Sequence, residues 1–458
     1  MNAEQFRQDF PKVNDFYAAP EGLQRPGGMV IDRDGVPTCD IEAMTQWGVQ
    51  LAAGTPLSSV LHQICQSDEW KTKHPGEPFP FELLPARVEQ GRYRTDAGWF
   101  VPRFYVALDA VWLVQNGQRS EWLRRLDRAR AARCNGVQFA GMLDWRHPDG
   151  APYIAFSPFD SGYWEALHTV VQDAAEREMY GCVLFFCDAQ RIVPEHLRRI
   201  VLVEQAAVFC QGNPTLWMVM ANEARKNGWN EADDDALLAL ADLFKNWCPA
   251  TILAVSDPLD GDTTNATAQY LERQNRIAPH ADELIVHASR KEDSGVVRRW
   301  LNHLKALADD RERWPGKAVR HAEPMGAAST RQLTRRDNSV VAHVAGAVIG
   351  AMCGGYTFMH RSDEDDACPG LLESAFAADI PGSPDFRFVN AGLAGSAVES
   401  FSGWDKIRGT TNGQEQWICA YGFADKPGSI VYRPGWTSST VLDLADGEGR
   451  VQVVRLTR

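Results

Sequence analysis

From about Val101 onward, short apolar runs alternate along the chain with longer amphipathic stretches. The longer stretches carry apolar residues at i, i+3 and i+4, which is typical of helices that bury one face. They include residues 120–134, 163–178, 233–247 and 294–310. The short runs predict eight strands, at residues 103–114, 136–143, 181–187, 215–221, 250–255, 283–287, 317–322 and 355–360. Eight strands alternating with helices predict an α/β fold, a closed (β/α)₈ barrel of parallel strands over residues 86–400.

Two further regions flank the predicted barrel. Residues 40–70 show the periodicity of two helices separated by Gly54 and Pro56, and a segment rich in proline and glycine follows them. Residues 1–85 are therefore expected to form a small helical region with a linker. After Phe401 the helical periodicity stops, and short apolar runs are separated by the turn sequences DKPG and DGEG. Residues 401–458 are expected to form an antiparallel, sandwich-like β-domain that packs against the barrel.

Charge and composition narrow the class of partner. The net charge is −13, and no basic run is interleaved with aromatic residues, so nucleic acid is an unexpected partner. The 15 tryptophans suit a neutral sugar, whose rings stack on indole faces, although most tryptophans are ordinary core residues. The first residues lack the pattern of a signal peptide, and no apolar run is long enough to cross a bilayer. A soluble protein without membrane contact is expected, in the cytoplasm or in a virion.

Metals and cofactors have little support in the sequence. The ten cysteines form no CxxC pair, which indicates buried, reduced thiols. No HxH or HExxH pattern, GxGxxG motif or phosphate-binding loop is present. The acidic run at residues 360–370 could hold calcium, but it lacks the required spacing, and a solvated loop is favoured. We therefore expect no metal and no cofactor; the oligomeric state stays open.

The strongest candidates for chemistry are two glutamates at predicted strand ends. In a (β/α)₈ barrel the active site lies at the carboxyl ends of the strands. Asn222 and Glu223 end the fourth predicted strand, and Glu323, followed by proline, ends the seventh. Glycoside cleavage needs one protonated and one ionised carboxyl group. The alternative is that Asn222 and Glu223 cap a helix and that Glu323 pairs with a neighbouring arginine.

This placement resembles the clan A glycoside hydrolases, and among them the family-five cellulases and mannanases. The resemblance implies that Glu223 is the general acid/base, that Glu323 is the nucleophile, and that Asn222 binds the sugar 2-hydroxyl. The sequence departs from the family at Gln138, where many members carry an arginine, and at residues 359 and 360, where a tryptophan is common. A divergent member with an uncertain substrate is therefore expected.

Other polar or aromatic residues at strand ends could line sugar subsites. Each of them could equally be a loop cap or part of a solvated face. His287 is favoured among them, because the resembling clan often presents a histidine or tyrosine there; a satisfied core histidine is the alternative. The candidates are Asp109, Asp144, Trp145, Asp188, His287 and His360.

The sequence thus favours a retaining glycosidase that cleaves an oligosaccharide or polysaccharide by double displacement. One alternative is a catalytically silent carbohydrate-binding or structural protein of a surface or virion assembly, suggested by the amino-terminal region and the lack of a signal peptide. Another is a barrel acting on an unrelated substrate, which a metal or phosphate beside the loops after strands seven and eight would favour.

Overall fold

A computed structural model describes most of the chain after residue 82. The described residues are 83–146, 152–222, 224, 229, 234–258, 268–287, 296–321, 340–358, 378–390, 395–423, 425–447 and 449–458, together with the two short strands Leu23–Gln24 and Val30–Ile31. The predicted helices of residues 40–70 and the acidic run at residues 360–370 lie outside them.

Eight parallel strands close into a barrel, and the predicted fold class is confirmed. In chain order these barrel strands 1 to 8 are Arg103–Val106, Gly136–Ala140, Tyr180–Phe186, Leu216–Ala221, Leu253–Pro258, Glu283–His287, Ala318–His321 and Gly354–Phe358. Each pairs with the next, and strand 8 closes on strand 1 through the pair Tyr356 and Arg103. Every predicted barrel strand therefore has a counterpart.

Helices cover the outside of the barrel. The described helices α1 to α9 are Ala110–Gln115, Arg119–Ala131, Tyr163–Ala175, Ala189–Ile192, His196–Gln211, Asp234–Trp247, Ala268–Ile277, Val296–Arg313 and Val340–Cys353. The prediction of a first strand running to residue 114 was wrong, because the strand ends at Val106 and α1 begins at Ala110. The apolar run after Asp109 is a short helix with three buried residues, and periodicity alone does not separate such a run from a buried strand.

One buried arginine joins several strands inside the barrel. Arg320 of strand 7 donates from Nε and Nη2 to the two oxygens of Glu283 on strand 6, at 2.7 and 2.9 Å. Its Nη1 donates at 2.6 Å to Gln138 Oε1 on strand 2, and at 2.6 Å to Thr357 Oγ1 on strand 8. All four side chains are almost completely buried. A bidentate ion pair with two further acceptors satisfies a charge that the apolar interior would otherwise exclude.

Tyr93 closes this network at the amino-terminal end of the barrel. Its hydroxyl donates to the Glu283 carboxylate, and its ring stacks on Trp217 of strand 4, with centroids 5.1 Å apart and planes 6° apart. Burial by itself would lower the pKa of Arg320, but Glu283 raises it above its ordinary value. Burial raises the pKa of Tyr93 well above its ordinary value, so the phenol keeps its proton. We call Tyr93, Gln138, Glu283 and Arg320 the barrel floor.

A three-stranded meander that sequence reasoning missed carries Tyr93. Its strands are Arg87–Glu89, Arg92–Thr95 and Gly98–Phe100. The first turn needs positive φ at Gln90 and Gly91, 51° and 69°, as two-residue hairpins with right-handed twist require. Arg92 is buried and donates to the carbonyls of Phe386 at 2.9 Å and Ala351 at 3.3 Å. The meander is thereby tied to the end of α9 and to the chain that enters the last sheet.

The chain ends in an antiparallel β-domain, as predicted. Its five-stranded sheet has the spatial order Arg387–Asn390, Lys406–Thr411, Glu415–Phe423, Gly449–Thr457 and Thr437–Ala445. A second sheet pairs Val398–Ser402 with Ser429–Tyr432. Because the first strand precedes residue 401, the sheet begins earlier than the expected segment 401–458. The division of the chain into three domains at residues 85 and 400 stays a prediction.

The central strand of the large sheet, Glu415–Phe423, is buried on both faces. Trp417, Cys419 and Tyr421 belong to the same core as the barrel, and α9 packs on their strand. The alternate residues Ile418 and Ala420 form a second core with the two-stranded sheet. Since successive side chains of a strand point to opposite faces, one strand joins the barrel on one side and the smaller sheet on the other.

The seven described cysteines are all buried, and none of them is in a disulfide bond. Within the same part of the chain, no helix has the length and apolarity that a membrane span requires.

The Arg320 pair should be strongly coupled. Arg320→Met leaves the Glu283 carboxylate buried without its cation, and should cost about 3–5 kcal/mol of unfolding free energy in urea denaturation. Arg320→Met combined with Glu283→Gln should cost less than the two single changes together. The control is Arg130→Met, which breaks an exposed pair with Glu178 and should cost at most about 1 kcal/mol. Additive costs at positions 320 and 283 would contradict the coupling.

Deletion of residues 401–458 should destabilise the barrel, because it uncovers the apolar surface against which Trp417 and Tyr421 pack. We expect the shortened chain to be insoluble, or to unfold at a clearly lower temperature than the full chain in differential scanning calorimetry. A soluble product with the melting temperature of the parent would show that the sheet contributes nothing to the barrel.

Candidate active site

The carboxyl ends of the barrel strands lie at one end of the barrel, opposite the barrel floor, and we call this end the rim. Five predicted site residues that follow these strands have described side chains, namely Asp109, Asp144, Trp145, Asp188 and Asn222. The side chain of His287 is not described, although its backbone ends strand 6. Glu223, Glu323 and His360 lie outside the described residues.

Three described residues follow strand 4 in the chain, namely Asn222, Ala224 and Trp229. Asn222 directly follows the strand and is buried. The Ala224 amide donates at 3.0 Å to the carbonyl of Ser256 on strand 5, and the Trp229 amide donates at 2.9 Å to the Ala224 carbonyl. Ala224, Trp229 and Ser256 are fully buried. The residues on either side of position 223 are therefore held by strand 5 and by the core.

At strands 6 and 7 the barrel register reaches the last residue of each strand. His287 pairs with Pro258 of strand 5, and His321 pairs with Tyr356 of strand 8. Position 323 comes two residues after the end of strand 7 and three residues after Arg320. Strand 7 is thus anchored through Arg320 by the ion pair of the barrel floor.

The structure brings two of the predicted rim residues, Asp144 and Asp188, together. Asp188 follows strand 3, and its Oδ2 accepts the backbone amide of Asp144 at 2.9 Å. Arg191 of α4 donates from Nη1 to the Asp144 carbonyl at 3.1 Å. Burial raises the pKa of Asp188, against the opposing effects of the Asp144 amide and the Arg191 cation. This half-buried carboxyl is therefore protonated more easily than an exposed aspartate, and it can donate as well as accept hydrogen bonds near its pKa.

A hairpin inserted after strand 2 carries Trp145. Its strands are Leu143–Arg146 and Pro152–Phe156, and sequence reasoning missed both the second strand and Tyr153 on it. The rings of Trp145 and Tyr153 contact each other, with centroids 6.0 Å apart and planes tilted by 38°. Residues 154 and 156 are buried, and 153 and 155 are exposed. The available signal for this strand was the short apolar run PYIAF, which contains two aromatic residues.

Asp109 is engaged by a neighbouring helix. It is buried, and its Oδ1 accepts from Arg125 Nη1 of α2 at 2.8 Å. Arg125 also donates to Glu121 at 2.9 Å. Hydrogen bonds from Arg124 and Arg125 lower the pKa of Glu121 to about 2. The Asp109 side chain thus forms an ion pair and makes no cap hydrogen bond to α1, while a sugar-binding role for Asp109 stays a prediction.

Gln138, which departs from the resembling family, lies in the barrel floor. Its Oε1 accepts Arg320 Nη1, so it serves the ion-pair network. Among the described residues, no three histidine, cysteine, aspartate or glutamate side chains form a group that could hold a metal ion.

Comparison with known proteins supports the fold. No family model and no curated protein matches the sequence. A solved structure described as a glycoside hydrolase family 5 from Bacteroides vulgatus ATCC 8482 covers 82% of this chain and 94% of its own, with 11% identity and a TM-score of 0.51. A second, described as a glycoside hydrolase, covers 82% and 97%, with 13% identity and a TM-score of 0.53. At this identity the likeness is one of fold. It extends beyond the barrel, because the match covers 82% of the chain, whereas the barrel, residues 103–358, has only 256 of the 458 residues.

Asp188→Asn should change the pH dependence of stability. Because the folded-state pKa of Asp188 is raised, ionisation costs stability as pH rises from the unfolded value, about 3.9, through the folded value. The amide keeps an acceptor for the Asp144 amide without ionising. The unfolding free energy of the variant relative to the parent should therefore increase over this interval and stay constant above it, in urea denaturation at a series of pH values. A constant difference at all pH values, or a decrease, would contradict this assignment.

Proposed function

We propose that the protein is a retaining glycoside hydrolase in which Glu223 is the general acid/base and Glu323 is the nucleophile. One observation carries the proposal: in a closed eight-stranded barrel, Glu223 and Glu323 each lie two residues beyond the end of their strand, strand 4 and strand 7. The carboxyl ends of strands 4 and 7 share one end of the barrel, where barrel enzymes assemble their active sites. The solved structures of the same fold, described as glycoside hydrolases, support the reaction class.

In the first step, the ionised Glu323 attacks the anomeric carbon while protonated Glu223 gives its proton to the departing glycosidic oxygen. A covalent sugar ester forms and the aglycone leaves. In the second step, Glu223, now ionised, takes a proton from water, and the resulting hydroxide attacks the ester from the side that the aglycone left. Glu323 departs as a carboxylate, and the product keeps the configuration of the substrate.

The rim offers groups suited to a sugar. Asn222 supplies an amide next to the acid/base in sequence, and the Asp144 and Asp188 carboxylates can accept hydrogen bonds from sugar hydroxyl groups. A sugar hydroxyl can both donate to a carboxylate or amide oxygen and accept from an amide N–H. With a net charge of −13, the chain repels polyanions at long range. A neutral oligosaccharide or polysaccharide is therefore the proposed substrate.

Azide should distinguish the two glutamates. With Glu223→Ala, an aryl glycoside with a good leaving group still glycosylates Glu323, and azide then completes the reaction with retained configuration. With Glu323→Ala, azide occupies the vacated space and attacks directly, giving an inverted glycosyl azide. Each variant should lose about 10²–10⁴ or more in rate on unactivated substrate. The products would be identified by nuclear magnetic resonance.

A panel of aryl glycosides and polysaccharides first finds a substrate for the parent. Glu204→Ala, which removes an exposed glutamate from α5, should keep the activity of the parent. Wild-type turnover by both Glu223→Ala and Glu323→Ala would disprove the assignment. A parent that binds sugar and cleaves none of the panel would instead favour a carbohydrate-binding protein without catalysis.

A further inference from the structure

The hairpin after strand 2 projects an aromatic pair at the rim. Its register pairs Trp145 with Ile154 and Arg146 with Pro152, and it therefore skips Tyr153. A bulge of this kind bends the strand and increases its local twist. At this bulge the Tyr153 ring lies beside Trp145, with the two centroids 6.0 Å apart.

One of the two rings is held by the core, and the other is exposed to solvent. Trp145 is half-buried and packs against the main core, while Tyr153 remains 44% exposed. A ring that is anchored on one side and exposed on the other keeps its orientation at little conformational cost. The tilt of 38° between the planes means that the surface is not flat, and it can follow a saccharide chain that twists from one unit to the next.

The root of the hairpin is fixed to the neighbouring strand. Asp188 Oδ2 accepts the Asp144 amide, and Arg191 donates to the Asp144 carbonyl, so both groups hold the residue that precedes Trp145. A carboxylate has about four lone-pair positions. Asp188 can therefore accept a hydrogen bond from a hydroxyl group in addition to the one from the amide. A pyranose ring is recognised by an aromatic face together with hydrogen-bond acceptors of this kind.

We propose that Trp145 and Tyr153 form a stacking platform for a pyranose unit of a neutral oligosaccharide, away from the bond that is cleaved. The choice of a sugar as ligand rests on the proposed function. A platform that holds a unit remote from the cleaved bond makes the protein prefer chains over single sugars, because remote binding energy is gained only with long substrates. The substrate class is therefore an oligosaccharide or polysaccharide rather than a small glycoside.

Isothermal titration calorimetry with hexasaccharides of β-1,4-linked glucose, mannose and xylose tests the platform, in the Glu323→Ala background to prevent cleavage. At least one hexasaccharide should bind, and Tyr153→Ala should weaken its Kd about fivefold to tenfold, as expected for loss of one stacked ring. Tyr153→Phe keeps the ring and should restore binding. Trp145→Ala should weaken binding at least as much, with circular dichroism to check that it folds.

Trp247→Ala is the matched control. Trp247 is an equally exposed aromatic residue, 49% accessible, but it ends α6 at the amino-terminal end of the barrel, so its loss should leave the Kd unchanged. Binding that is equal in Tyr153→Ala and its parent would overturn the platform, as would the failure of all three hexasaccharides to bind. Hydrolysis by the wild-type chain is measured separately. Tyr153-dependent binding without hydrolysis would reject the proposed function and keep the platform.

Discussion

The buried ion pair between Arg320 and Glu283 is the constraint on which the rest of the barrel depends. Removing both charges from water is costly, so the pair is stable only if every donor and acceptor is matched. The matching partners come from strands 2, 6 and 8, and Tyr93 comes from the meander. A shift of strand 7 by one residue would turn Arg320 out of this arrangement. The pair therefore fixes the strand register in a way that apolar packing does not.

This requirement separates the two ends of the barrel. At the floor, polar groups are fully buried and bound to one another, and Tyr93 stacks on Trp217 below them. At the rim, the half-buried Asp188 is bound through a backbone amide and keeps acceptor positions for a ligand. Strand 7 contributes to both ends: Arg320 is held in the floor, and position 323 lies three residues further on. Stability and proposed chemistry are thus separated along a single strand.

Much of the fold could be predicted from periodicity, because barrel strands are buried on both faces and appear as short apolar runs. The strand Glu283–His287 has the predicted ends. The meander could not be predicted, because Arg92 and Arg94 alternate with Tyr93 and resemble a solvated segment. Arg92 is buried only because the carbonyls of Phe386 and Ala351, far away in sequence, accept its hydrogen bonds. Such a partner is not visible in a local pattern.

The candidate site illustrates the same limit for individual side chains. Asp109 and Asp188 both follow a barrel strand, and sequence position treats them alike. Asp109 binds Arg125 of α2, whereas Asp188 binds the backbone of a neighbouring rim segment. The tryptophans differ in a similar way, because Trp217 lies near the start of its strand and Trp145 lies beyond the end of strand 2. For an aromatic or acidic residue in a barrel, distance from the carboxyl end of the strand is therefore more informative than residue type. The contact partner then decides between a structural and a binding role.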